Sequence, residues 1–210
     1  EIENRPVLFA YNGGPGSSAL WLQTGLLAPK RVKLEDPLNP NTLPPFELEV
    51  NQDCLLDVCD IVIIDPLGTG FSKIIDIEKQ KEAYSVEQDA LIFSQFIQWW
   101  LEHYNRKQSP KYLLGESYGT TRSCVLANIL MGGPTSGSGK MTGITLDGMI
   151  LMGTALFVNP ESNFFTEGRI DQMMLDLPTM AAVNWYHHRE GKPELSFFLK
   201  ETRDFIVNDC

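Results

Sequence analysis

The chain has 210 residues, 43% of them hydrophobic, which is enough to bury one sizeable core. Its formal net charge of −10 argues against nucleic acid as a partner, because phosphates would be repelled. There is no run of about eighteen apolar residues, so no membrane-spanning helix is expected.

In chain order, a strand expected over residues 6–10 leads into Tyr11-Asn12-Gly13-Gly14-Pro15-Gly16-Ser17-Ser18, whose glycines and proline give an exposed, closely packed backbone. A Pro-rich loop at 37–45 precedes a strand at 46–50. Residues 61–65 read as a buried parallel-type strand running into the turn Pro66-Leu67-Gly68-Thr69-Gly70-Phe71-Ser72. Ser85 and Gln88 make a capping box, after which Val86, Ile92, Phe93, Phe96, Ile97, Trp100, Leu101 and Tyr104 trace a helical stripe. Trp99 and Trp100 read as part of its buried face, and His103 as the end of a surface helix. A strand at 112–115 meets Gly115-Glu116-Ser117-Tyr118-Gly119 and then a helix over 120–131. Residues 132–139 read as a flexible surface loop and not a phosphate cradle, since no Lys-Ser/Thr pair opens a helix after them. One more core strand is expected at 149–152, followed by a Met-rich helical stretch at 170–190.

A Gly-x-Ser-x-Gly at a strand-to-helix turn is a nucleophile elbow, whose tight backbone pushes the serine hydroxyl out into a cleft. The serine needs a strained left-handed conformation, and side chains on the flanking turns would collide with the neighbouring strand or helix. Ser117 is therefore the candidate nucleophile. In such a hydrolase one oxyanion donor is the N–H after the nucleophile, here that of Tyr118. The second comes from a Gly-rich loop after an earlier strand, which Gly13 and Gly14 supply.

In order and wording the three segments closely resemble the serine carboxypeptidase family (peptidase family S10), whose signatures read Asn-Gly-Gly-Pro-Gly-x-Ser-Ser, Asp-x-Pro-x-Gly-Thr-Gly-Phe-Ser and Gly-Glu-Ser-Tyr-Gly. The resemblance runs from about Pro6 to Phe157. It implies an α/β-hydrolase fold, a mostly parallel sheet flanked by helices, here incomplete and with the start of a helical cap. Residues 1–158 would form the N-terminal part of the core and residues 159–210 the start of the cap or insert. The resemblance further implies an acylating nucleophile at Ser117 and an oxyanion hole from the N–H groups of Gly14 and Tyr118. Asn12, Gly13 and Glu116 would hold the terminal carboxylate of a peptide or protein substrate. A carboxylate facing Glu116 is tolerable only if the pair shares a proton, so binding is expected to weaken as pH rises. No cofactor or metal is implied. The activity implied is removal of C-terminal residues through an acyl-enzyme, with ester cleavage or acyl transfer by the same serine as the alternative.

Departures carry information too. Ser17 stands where many eukaryotic members have cysteine, Leu26 where a further acidic residue occurs, and Thr120 where glycine often follows the elbow. The pattern is closer to the bacterial branch of the family. The triad of such hydrolases runs Ser, acid, His along the chain, so both partners are expected after Ser117. There, His187 and His188 read as an exposed helix face beside Tyr186 and Arg189, and Asp147, Asp171, Asp176, Asp204 and Asp209 follow no strand in the expected place. The expectation is the N-terminal part of a longer protein, with the Asp and His in a missing C-terminal segment or a second chain. A catalytically incomplete fragment acting only with a partner, through its unfinished sheet edge, is the third reading. Glu1 opens the chain without an apolar leader, so any signal peptide is expected to have been removed or not included; family habit suggests a secreted or periplasmic protein. Cys54, Cys59 and Cys124 lie in or beside apolar segments and Cys210 ends the chain; Cys54 and Cys59 could bridge, but buried single thiols are the preferred reading.

Overall fold

A computed structural model describes residues 2–36, 38, 43–76, 78, 83–132, 143–156, 168–188 and 191–209. Most of the glycine-rich loop expected at 132–139 and part of the Pro-rich loop at 37–45 lie outside these residues, as does Cys210. The chain divides into two compact units, Glu1–Leu156 and Phe157–Cys210.

The strands are β1 (Val7–Tyr11), β2 (Lys30–Val32), β3 (Leu48–Val50), β4 (Asp60–Ile63), β5 (Lys111–Glu116) and β6 (Gly148–Met152). Four of them form one parallel sheet in the order β4-β1-β5-β6. The helices are α1 (Leu20–Leu22), continued by a wider π turn at Gln23–Leu27, then α2 (Val86–His103), α3 (Tyr118–Leu130), α4 (Gly168–His187) and α5 (Leu195–Asp209). This is the architecture of an incomplete α/β-hydrolase core. Among the described residues no helix is long and apolar enough to cross a membrane.

The alternation of β1 explains its central place. Val7, Phe9 and Tyr11 point to one face, where Phe93, Ile97 and Leu101 of α2 and Leu126, Ile129 and Leu130 of α3 cover them. Leu8 and Ala10 point to the other face, against Leu22 and Leu27 of the first helical segment. All five residues of β1 are buried, as a strand covered on both faces requires. In α2, Ser85 caps the N-terminus by accepting the Gln88 N–H at 3.2 Å, and the buried residues Ala90, Phe93, Ile97 and Leu101 keep helical spacing.

Several expectations need correction. The strand expected at 46–50 is not part of the main sheet; β3 pairs antiparallel with β2, a partner that three residues of mixed polarity did not reveal. The strand read as buried at 61–65 is β4, half-buried, because it has a neighbour on one side alone among the described residues. The Trp pair splits: Trp100 packs edge-on to Phe9 at 5.5 Å, whereas Trp99 is 54% exposed and stacks on His103 at 5.0 Å. Cys59 is a buried thiol and Cys54 a half-buried one, both unbridged, but Cys124 is exposed on α3.

Ion pairs fasten the amino-terminal ends of the strands. Buried Arg106 donates to Asp60 Oδ2 at 2.5 Å, to Ser109 Oγ at 2.7 Å and to the Arg5 carbonyl at 2.7 Å. Arg5 donates to Asp60 Oδ1 at 2.8 Å and to the Cys59 carbonyl at 2.9 Å. The hydrogen bond from Arg106, ahead of that from Arg5, holds the Asp60 carboxyl below the usual carboxylate range. A depressed folded value stabilises the fold above the unfolded carboxylate range, and that contribution fades as pH falls through the folded value. Asp60→Asn is therefore expected to lower unfolding stability at neutral pH by on the order of 1 kcal/mol, discounted for the partial exposure of Asp60. Urea titrations of both proteins should converge on acidification.

Candidate active site

In a parallel sheet the carboxyl ends of all strands lie along one edge, and ligands bind in the crevice outside it. Here Tyr11 pairs with Gly115 and Glu116 with Met152, so the segments that follow β1, β5 and β6 leave that edge side by side. The three sequence motifs therefore converge although they are far apart in the chain.

The elbow has the strained geometry its sequence called for. Ser117 has φ 55° and ψ −123°, a left-handed φ that non-glycine residues rarely adopt. Three contacts hold it there: the Ser117 N–H donates to the Met152 carbonyl at 2.8 Å, and the Ser117 carbonyl accepts from the Thr120 N–H at 2.9 Å and Thr120 Oγ1 at 2.7 Å. Thr120, which stands where glycine often follows the elbow, thus supplies two of the bonds that hold the serine. A Cβ on Gly115 would run into the Gly119 backbone, which is why glycine is required before the serine.

An open cleft of about 490 Å³ lies over the elbow, lined by Asn12, Gly14, Ser17, Trp21, Leu22, Leu26, Glu116, Ser117 and Met152. Of the residues singled out in the sequence, Ser117, Gly14, Asn12 and Glu116 thus share one cavity. Gly13 lies beneath it, packed so closely on the elbow that an added Cβ would sit 2.5 Å from the Glu116 carbonyl and from the Tyr118 nitrogen. Tyr118 opens α3, where a first-turn N–H has no acceptor within the helix. Its ring turns away from the cleft lining: the hydroxyl donates to Asp89 Oδ2 at 3.1 Å, and burial with Asp89 nearby pushes it up to about 12.

Asn12 is buried and fastened at three atoms. Its Nδ2 donates to Glu116 Oε2 at 3.0 Å, its Oδ1 accepts the Leu22 N–H at 3.1 Å, and its carbonyl accepts Arg122 Nη1 at 2.8 Å. The pair of Asn12 and Glu116 offers an amide donor and a carboxyl group within one wall of the cleft. The other wall is apolar, made by Trp21, Leu22, Leu26 and Met152.

Sequence reasoning missed the groups behind the cleft. Asp65, at the end of β4, accepts the Ala19 N–H and the Phe71 N–H, each at 2.8 Å, and so ties the first glycine motif to the second. A Cβ on Gly70 would fall on the Asp65 carboxylate, so that glycine keeps room for the tie. Asp89 of α2 and Arg122 of α3 form an ion pair at 2.7 Å, joining positions that nothing in the local pattern links. Phe71, in the turn after β4, is 96% exposed and does not line the cleft.

No triad is assembled among the described residues of the cleft, whose lining includes no histidine. His103 ends α2 in its stack with Trp99. Asp147 accepts the Lys111 N–H at 2.7 Å and so sits at the amino-terminal end of β5, opposite the elbow. Asp204 pairs with Lys200 one turn away in α5. His187 and His188 belong to the unit Phe157–Cys210, where His187 ends α4.

Comparison with known proteins agrees with this architecture. No curated protein matches the chain. Among solved structures, the chain is similar to Kex1(delta)p, a prohormone-processing carboxypeptidase from Saccharomyces cerevisiae, with a TM-score of 0.55 and 21% identity. That match covers 97% of this chain and 40% of the yeast chain, so the chain spans well under half the length of that protein. The family model of the serine carboxypeptidases, peptidase S10, matches residues 1–190, and the chain belongs to that family.

Proposed function

We propose that this chain carries the nucleophile half of a carboxypeptidase site. In this reading Ser117 attacks the carbonyl of the last peptide bond, the C-terminal residue leaves as the free amine form of an amino acid, and the remainder stays as an ester on Ser117 until water releases it. The observation that carries the reading is the elbow: Ser117 at φ 55° between β5 and α3, opening on a cleft shared with Asn12, Gly14 and Glu116.

The N–H groups of Gly14 and Tyr118 would meet the oxyanion, and the positive end of α3 adds to their pull. The terminal carboxylate would face Asn12, the Gly13 N–H and Glu116, which is how the site recognises a peptide end. The proton of Ser117 needs a base. With no histidine in the described lining, base and acid partner would come from a further segment of the protein or from a second chain, and residues 159–210 would begin the cap. Without them the hydroxyl is a weak nucleophile at neutral pH.

One observation favours a second reading, ester cleavage or acyl transfer by the same serine: Leu26 joins Trp21, Leu22 and Met152 in an apolar wall that suits an acyl chain or an apolar alcohol. Substrate competition with Glu116→Gln separates the two. Ester turnover that survives while release of C-terminal residues is lost supports carboxylate recognition, and equal loss of both counts against it.

Exposure to a fluorophosphonate is expected to give a single adduct mapped to Ser117 by peptide mass analysis. It should form slowly with this chain alone and be absent from Ser117→Ala. An adduct elsewhere, with Ser117 untouched, would overturn the nucleophile assignment.

A further inference from the structure

One buried cation touches the framework of the cleft from behind. Arg122, in the second turn of α3, is 1% exposed. Its Nε donates to Asp89 Oδ2 at 2.7 Å and its Nη1 to the Asn12 carbonyl at 2.8 Å. The same Asp89 oxygen accepts the Tyr118 hydroxyl. The guanidinium lies over aromatic faces, 4.5 Å from the Phe93 ring centre, 5.1 Å from that of Tyr118 and 5.3 Å from that of Tyr11. Burying an ion pair is costly, and apolar side chains of similar volume often stabilise a fold as well or better. Cation–π contacts offset part of that cost. Stability alone is therefore a weak reason for a charge at this place.

What the charge reaches is informative. The Asn12 carbonyl and the Gly13 N–H belong to one planar peptide unit, so a bond that fixes the oxygen also fixes the direction of the N–H. Gly13 itself has no side chain to resist rotation, and the Asn12 side chain is held separately by Leu22 and Glu116. The guanidinium is the group that clamps the peptide plane, and Asp89 holds the guanidinium.

We infer that Arg122, paired with Asp89, is a positioning residue for recognition of a peptide's terminal carboxylate: it sets the Asn12–Gly13 peptide plane and so aims the Gly13 N–H at the ligand. The inference rests on the roles proposed above for Asn12, Gly13 and Glu116. Arginine suits the task because its fork donates along two directions at once, whereas the point charge of lysine would have to choose between Asp89 and the Asn12 carbonyl.

The test uses the 210-residue chain, its Arg122→Lys and Asp89→Asn variants, and Tyr11→Phe as a control of similar depth. Tyr11→Phe removes a 2.7 Å hydrogen bond to Ser123 on the same helix without touching the Asn12 carbonyl. The probes are an N-acetylated tripeptide ending in phenylalanine, as free acid and as amide, with amide hydrogen exchange followed in parallel by mass spectrometry. Arg122→Lys and Asp89→Asn are expected to reduce the acid-over-amide preference about tenfold, the loss of one charge-assisted hydrogen bond, with amide affinity unchanged. Exchange at Gly13 and Gly14 should quicken while Leu8–Ala10 stays protected, and Tyr11→Phe should leave both readouts at the wild-type level. Exchange that is unchanged at Gly13 and Gly14, or that quickens equally through β1 and α2, overturns the positioning role. A wild-type chain that binds acid and amide alike instead overturns the carboxylate reading, and the exchange pattern then decides the role of Arg122 by itself.

Discussion

The structure depends on the parallel pairing of β1 with β5. Their register sets Tyr11 beside Gly115, so the loop that leaves β1 and the elbow that leaves β5 start at the same height on the same edge of the sheet. Two loops so close leave no room for side chains between them, and glycine answers this at Gly13 and Gly115. The cleft is what remains above that contact. Its floor is built from turns pinned to buried strands, which gives the cleft a rigid frame.

Three arginines hold the two ends of the sheet, and they do so differently at each end. At the amino-terminal end, Arg106 and Arg5 share the half-exposed carboxylate of Asp60 and reach back to backbone carbonyls, joining the chain before β1, the start of β4 and the end of the α2 segment. At the carboxyl end, Arg122 is enclosed by aromatic rings and has a single counter-ion, Asp89. The first arrangement tolerates water; the second excludes it. In both, the guanidinium satisfies carbonyls that irregular backbone would otherwise leave unpaired, which is a recurrent reason to bury arginine at the rim of a sheet.

Among the described residues the sheet is partly uncovered. β6 carries Met149 and Ile150 at 44% and 45% exposure, and β4 is half-buried throughout. The 40% coverage of the yeast carboxypeptidase chain agrees with a core that is not complete within these residues.

The sequence by itself determined the elements that rest on local rules. The Ser85 cap and apolar stripe specified α2, the apolar runs specified β1 and β5, and the glycine spacing around Ser117 specified the elbow with its left-handed serine. Each follows from steric or periodic constraints within a few residues of chain. It also led to the family, through three motifs whose order and wording chance does not supply. Tertiary structure alone decided the rest: that β2 pairs with β3 away from the main sheet, that Trp99 and Trp100 part company, that Asp65 ties two glycine motifs together, and that Asp89 and Arg122 meet behind Asn12. They depend on contacts such as Arg31 with Glu49, 18 positions apart, and Arg122 with Asn12, 110 apart, and no local pattern encodes a partner at that distance.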